Sequence, residues 1–188
     1  MRLGIVGGTF NPIHLGHLVL AETAREELAL DRILFIPTQQ PPHKSVRNLL
    51  PGTLRLKLVQ LAIRDHPGFA ASDIELHRHG PSYSIDTVKI LRSKLPGAKL
   101  FLLIGEDMLS VRWLAWRGLR RLCTIVVASR PGSKAARAEA GLTRLTMPRL
   151  EISSSNIRAR VSAGRSIRYL VPAAVERYIR QHHLYRRA

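Results

Sequence analysis

Four short apolar runs set the architecture of this chain. Leu3-Gly4-Ile5-Val6, Ile33-Leu34-Phe35-Ile36, the stretch from Lys99 to Ile104 and the stretch from Cys123 to Ala128 are continuous rather than alternating in polarity. Strands of that kind are buried on both faces, which a parallel sheet wrapped by helices provides. Between them apolar residues return at helical spacing, over 15–30 (Leu18, Ala21, Leu28), 53–65 (Leu54, Leu58, Leu61, Ala62), 84–94 and 108–121. A further strand fits Phe69 to Leu76. Ser153-Ser154-Ser155 reads as a helix cap and Gly164 as a stop. Pro172 suits the first turn of a last helix reaching about His183. Residues 133–149 carry no readable pattern. The expectation is α/β: one domain over 1–188, a doubly wound parallel sheet with a small C-terminal helical part from about 153 to 188. In such sheets ligands bind beyond the carboxyl ends of the strands, where the strand order reverses.

Composition removes several alternatives. A chain of 188 residues that is 45% apolar has enough material for a buried core. One cysteine, Cys123, permits neither an intramolecular disulfide nor a thiolate metal cluster. No apolar run approaches the ~20 residues that cross a bilayer, and the first run is too short for a signal peptide. A cytoplasmic protein without a membrane partner is expected. The formal charge is +17, unevenly placed: 13 bases and 10 acids in residues 1–107, 17 bases and 3 acids in 108–188. A basic half suits an anionic partner, although a solvated basic surface accounts for most of these arginines.

The segment from Gly7 to His17 carries the first chemistry. Gly7 and Gly8 end the first strand, and His14, Gly16 and His17 open the first helix. Glycines let a backbone approach a phosphate, and a helix start offers free N–H groups and a partial positive charge. Two imidazoles three residues apart add donors for phosphate oxygens. Neither the Walker phosphate loop nor the dinucleotide fingerprint fits this spacing. Ile152-Ser153-Ser154-Ser155-Asn156-Ile157-Arg158 is the second such helix start, where hydroxyls, free N–H groups and an arginine converge as a leaving pyrophosphate requires.

These residues carry a resemblance. Gly7-Gly8-Thr9-Phe10-Asn11-Pro12-Ile13-His14-Leu15-Gly16-His17 resembles the signature of the nucleotidylyltransferase superfamily, and Ile152 to Arg158 resembles its second motif, with Ser155 at the usual Thr. Class I aminoacyl-tRNA synthetases carry a similar first element, but they are longer and have a lysine-rich second motif that is missing here. Pro41-Pro42-His43-Lys44, Ser82-Tyr83-Ser84-Ile85-Asp86-Thr87, Gly105-Glu106-Asp107, the Trp113/Trp116 pair and Arg130-Pro131-Gly132 resemble the nicotinate-nucleotide adenylyltransferases. The likeness runs from Leu3 to about Tyr185 and implies a Rossmann-like fold. The departures are Glu106 where Ala is common, Ser84 where Thr is common, and a Gly105–Arg130 spacing two residues short. Counted back from Arg130, Trp113 falls at the position that stacks on the pyridine ring; counted forward from Gly105, Trp116 is nearer.

The resemblance implies roles residue by residue. ATP is expected at Gly7, Gly8, Thr9, Phe10, His14, Gly16, His17, Gly105, Asp107, Ile152, Ser154, Ser155 and Arg158, with His14, His17 and Arg158 catalytic. Nicotinate mononucleotide is expected at Thr38, His43, Lys44, Tyr83, Thr87, Trp113, Trp116 and Arg130. The implied reaction joins ATP and nicotinate mononucleotide to give nicotinate adenine dinucleotide and pyrophosphate, in NAD biosynthesis. Mg²⁺ is expected with ATP, held by phosphate oxygens and water; no residue is assigned to a metal. Two other readings stand beside it. The acceptor is the amide mononucleotide, or the basic C-terminal half holds nucleic acid, for which no RNA or DNA module is visible. A homo-oligomer is the default for such a chain; its sequence does not specify one.

Overall fold

The computed structural model describes residues 1–42, 49–129, 141–148 and 150–186. Six strands form one sheet: β1 (Arg2–Gly8), β2 (Arg32–Pro37), β3 (Phe69–Ala71), β4 (Lys99–Gly105), β5 (Thr124–Ser129) and β6 (Thr143–Thr146). Their order is β3-β2-β1-β4-β5-β6, and every neighbouring pair is parallel. The chain steps outward from β1 through β2 and β3, then returns to the other side of β1 for β4, β5 and β6. The order therefore reverses between β1 and β4, where Val6 lies beside Leu103.

Helices cover both faces: α1 (Leu15–Glu27), α2 (Gly52–Ile63), α3 (Ser84–Lys94), α4 (Trp116–Leu122), α5 (Ser154–Ser162) and α6 (Ala173–Gln181). Strand side chains alternate between two cores. Val6, Phe101, Leu103 and Val126 meet α1, α2, α5 and α6 through Ala21, Leu58, Ile157 and Ile179. Leu3, Ile5, Leu102 and Ile125 meet α3 and α4 through Val88, Leu91 and Leu119. The C-terminal helices thus share a core with α1 and α2. Among the described residues no helix is long and apolar enough to cross a membrane.

Four elements differ from the sequence reading. The strand expected over Phe69–Leu76 stops at Ala71, because Ser72 Oγ accepts the Ile74 N–H and the chain turns at Asp73–Leu76. The helix expected over 108–121 is broken. A 3₁₀ turn covers Glu106–Ser110, and α4 begins at Trp116 after Ala115 adopts the left-handed conformation at φ 53°. Strand β6 emerges from the unreadable stretch; only Leu145 of its four residues is buried, so it shows no apolar run. The last helix ends at Gln181, and His183 takes φ 51°.

Ile157 is the one buried residue of α5 and is fully enclosed. Ile157→Ala is expected to lower unfolding free energy by ~2–4 kcal/mol, read from denaturant midpoints, because it removes the anchor that seats α5 on the sheet.

Candidate active site

Parallel winding delivers the predicted residues to one edge. Gly8 ends β1, Thr38 follows β2, Gly105 ends β4, and Ile152 to Arg158 follow β6, all at the carboxyl side of the sheet. Extra volume at Gly7 would enter open space, whereas at Gly8 it would sit 3.3 Å from the Phe10 ring. The backbone above Gly7 is therefore approachable from outside.

The loop between β1 and α1 is held by its carbonyls. Arg55 Nη1 donates to Thr9 O at 2.8 Å, Arg158 Nη1 to Asn11 O at 2.8 Å, and Ser154 Oγ to Pro12 O at 2.8 Å. Tyr185 Oη donates to Asn11 Oδ1 at 2.9 Å, and the Leu15 N–H reaches Leu170 O at 3.0 Å. The two motifs of the sequence are thus one assembly: the hydroxyl and guanidinium of α5 clasp the histidine loop. One arm of Arg158 is engaged there, and the fork retains other N–H donors.

His14 caps α1 and lies nearly buried, with its ring stacked on His17 at 3.7 Å and 28°. Gly16 makes room for this, since a Cβ there would sit 3.1 Å from His14 Nδ1. The His14 N–H donates to His17 Nδ1 at 3.2 Å. A neutral His17 ring therefore carries its proton on Nε2, as a donor to an anion. Burial lowers the His14 imidazole to about 4, so it is neutral at pH 7. His14 Nδ1 has no partner among the described residues. Phe10 turns its ring into the core, edge-on to His17 at 5.1 Å, and offers a ligand only its backbone. Ser153 caps α5 by accepting the Asn156 N–H, and its hydroxyl meets that of the exposed Ser155 at 3.1 Å.

The other predicted group lies on the opposite face. Tyr83 precedes α3 and, like Trp113 and Trp116, packs against the core on that face. The two indoles stand 5.3 Å apart at 39° and, with Leu109 and Val111, line a cavity of about 280 Å³. The structure therefore places both tryptophans in one aromatic wall. Trp113 Nε1 donates to Met108 O at 2.8 Å. Thr87 is buried and donates its hydroxyl to Glu75 Oε1 at 2.6 Å. Thr38 donates its N–H to Gly8 O at 2.9 Å, linking this side to β1. Asp107 is exposed, with its carboxylate folded against Gly105. The predicted His43, Lys44 and Arg130 lie outside the described residues.

Sequence reasoning missed Arg55, Glu75 and Tyr185. Arg55 is 1% exposed and donates Nε to Leu50 O as well as Nη1 to Thr9 O. Its only signal was a cation on a helix among leucines, which reads as an exposed face.

The cytidylyltransferase-like family model matches residues 5–160. A protein of Thermomicrobium roseum described as a "probable nicotinate-nucleotide adenylyltransferase" is 44% identical, covering 98% of this chain and 92% of the relative. The chain belongs to the nicotinate-nucleotide adenylyltransferases of the cytidylyltransferase-like family. A Thermus thermophilus relative of the same description is 43% identical over 99% of this chain and 100% of its own length. The fold is also similar to a solved Plasmodium falciparum nicotinic acid mononucleotide adenylyltransferase complexed with NaAD. That likeness has a TM-score of 0.79 at 18% identity, covering 98% of this chain and 97% of the other.

A buried neutral imidazole makes stability depend on pH. His14 binds a proton near 6.5 when unfolded and only near 4 when folded. Its contribution is complete above pH 6.5 and is lost as pH falls toward 4. The loss amounts to about 3 kcal/mol. Chemical unfolding between pH 7 and 4 is expected to show this decline and His14→Asn to flatten it; equal slopes in both proteins exclude His14 as the source.

Proposed function

We propose that the protein transfers the adenylyl group of ATP to nicotinate mononucleotide, releasing pyrophosphate and forming nicotinate adenine dinucleotide, a step of NAD biosynthesis in the cytoplasm. The observation that carries the reading is the clasp of Ser154 and Arg158 on the Asn11–Pro12 carbonyls. It sets hydroxyl, guanidinium, imidazole and a helix start around one volume at the switch point of the sheet. The family membership supplies the reaction class.

The acceptor phosphate is already ionised at neutral pH, so its oxygen attacks the α-phosphorus without a general base. The bond from that phosphorus to the β-bridging oxygen breaks, and its electron pair leaves with pyrophosphate. The protein aligns two anions and offsets the charge gathering on the leaving group. In this reading His17 Nε2–H, the free donors of Arg158 and the α1 N–H groups meet that charge, while Gly7 and Gly8 let the phosphates lie close. His14 holds the stack and the cap. Phe10, Thr9 and Ile152 contribute backbone, and Gly105 with Asp107 borders the nucleotide. Thr38, Tyr83, Thr87 and the two tryptophans take the pyridine nucleotide. Mg²⁺ enters with ATP. The histidine loop and the α5 start offer imidazole, hydroxyl and guanidinium, donors to phosphate oxygen rather than a carboxylate cage, so the ion belongs to phosphate oxygens and water.

Pyrophosphate release tests the reading. Purified protein with MgATP is expected to release it faster with nicotinate mononucleotide than with its amide. A faster amide reaction keeps the chemistry and changes the acceptor, and no release with either defeats the proposal. His17→Ala is expected to lower kcat by about 10²-fold or more with little change in ATP affinity, because leaving-group charge exists mainly in the transition state. An unchanged kcat removes His17 from the chemistry.

A further inference from the structure

Glu75 has no part in the mechanism above, yet it is a carboxyl only 4% exposed in the turn after β3. Burying such a group is costly unless it is bonded. Its Oε1 accepts the Thr87 hydroxyl at 2.6 Å, while Oε2 has no partner among the described residues. Three elements converge on it. Thr87 comes from α3, and Arg78 donates to Thr87 Oγ1 at 3.2 Å and to Asp86 Oδ2 at 2.9 Å. Ser82 precedes α3, and its hydroxyl accepts the N–H groups of Gln39 and Gln40 at 3.2 and 3.3 Å. The hydroxyls of Thr38 and Ser82 face the same carboxyl. Burial raises the carboxyl above the usual carboxylate range, outweighing the Thr87, Ser82 and Thr38 hydroxyls and the nearby Arg78 charge, which pull it down.

The consequence is geometric. The loop after β2 and the first turn of α3 do not belong to one element, and Glu75 sits where they meet. Thr87, the residue it grips, stands one helical turn beyond Tyr83. On the other flank of this junction, Thr38 is bonded to Gly8 at the end of β1. The nucleotide half takes its hydrogen bonds from other residues, Arg55, Ser154 and Arg158, and of these Arg55 has Glu75 as a nearby charge.

We propose that Glu75 is a positioning residue for the acceptor half of the site: through Thr87 it fixes the start of α3 against the loop after β2, and so sets affinity for the pyridine mononucleotide without touching it. The inference rests on the adenylyl-transfer reading. It separates two functions of one edge: acceptor placement by Glu75, and triphosphate placement by the α5 clasp.

The test is steady-state kinetics of Glu75→Leu and Glu75→Gln, with each substrate varied in turn. Leucine keeps the volume and removes the acceptor for Thr87; glutamine keeps a carbonyl oxygen for it. Glu75→Leu is expected to raise the mononucleotide KM about tenfold or more, with the ATP KM within about twofold. Glu75→Gln is expected to restore most of the loss. Thr87→Val, which keeps the branched side chain and removes the hydroxyl, is expected to raise the same KM, and adding it to Glu75→Leu to produce less than about twofold further change. Equal rises in both KM values, or an unchanged mononucleotide KM in Thr87→Val, overturn the inference. Should Glu75→Leu fail to fold, a Glu75→Gln enzyme with a mononucleotide KM as high as that of Thr87→Val overturns it, and one near wild type supports it. A wild-type enzyme that releases no pyrophosphate with either mononucleotide defeats the underlying reading instead.

Discussion

Three backbone carbonyls of the loop between β1 and α1, at Thr9, Asn11 and Pro12, depend on donors from other parts of the chain. A crossover from strand to helix cannot satisfy such groups by itself, and leaving them buried without partners is expensive. Arg55, Arg158 and Ser154 supply the donors. Two of the three bonds are charge-assisted, the class worth roughly 1.5–3 kcal/mol each. Arg55 is the costly member, since burial works against its charge. The Glu75 carboxyl, when ionised, lies near enough to favour it. Once this loop is fixed, the position of α1, the stacking of its two histidines and the seat of α5 follow.

The sheet divides the labour. Residues that bind or orient the triphosphate in our reading lie with the core of α1, α2, α5 and α6. The aromatic wall and Thr87 lie with the core of α3 and α4. Between the two groups lies the switch point, at the carboxyl ends of β1 and β4. Neutral imidazole suits that place. His14, neutral because it is buried, stacks on His17 at 3.7 Å without placing a buried imidazolium against it.

The doubly wound sheet was legible because its central strands are buried on both faces and read as unbroken apolar runs. The placement of Gly7, His14, Gly16, His17 and the serine-arginine cap was legible, because glycines and capping residues mark strand ends and helix starts. The clasp between the two motifs was not legible. Ser154 and Pro12 stand 142 positions apart, and a hydroxyl that bonds a carbonyl looks in sequence like any helix cap. Arg55 was hidden by its setting among leucines. Edge strand β6 has a single buried residue, too few for a pattern. The break before α4 comes from an alanine at positive φ, a conformation that no propensity announces.

The bond from Tyr185 to Asn11 spans 174 positions, joining one of the last described residues to a loop formed among the first. A chain emerging from the ribosome lays down β1, the histidine loop and most of the sheet long before this tyrosine exists. Until residues 154–185 have been made, the loop lacks Ser154, Arg158 and Tyr185 together. Catalytic competence is therefore a property of the late chain: a nascent or clipped polypeptide without these residues lacks the fasteners of its phosphate loop together with Ile157, Val175 and Ile179 of the core beneath it.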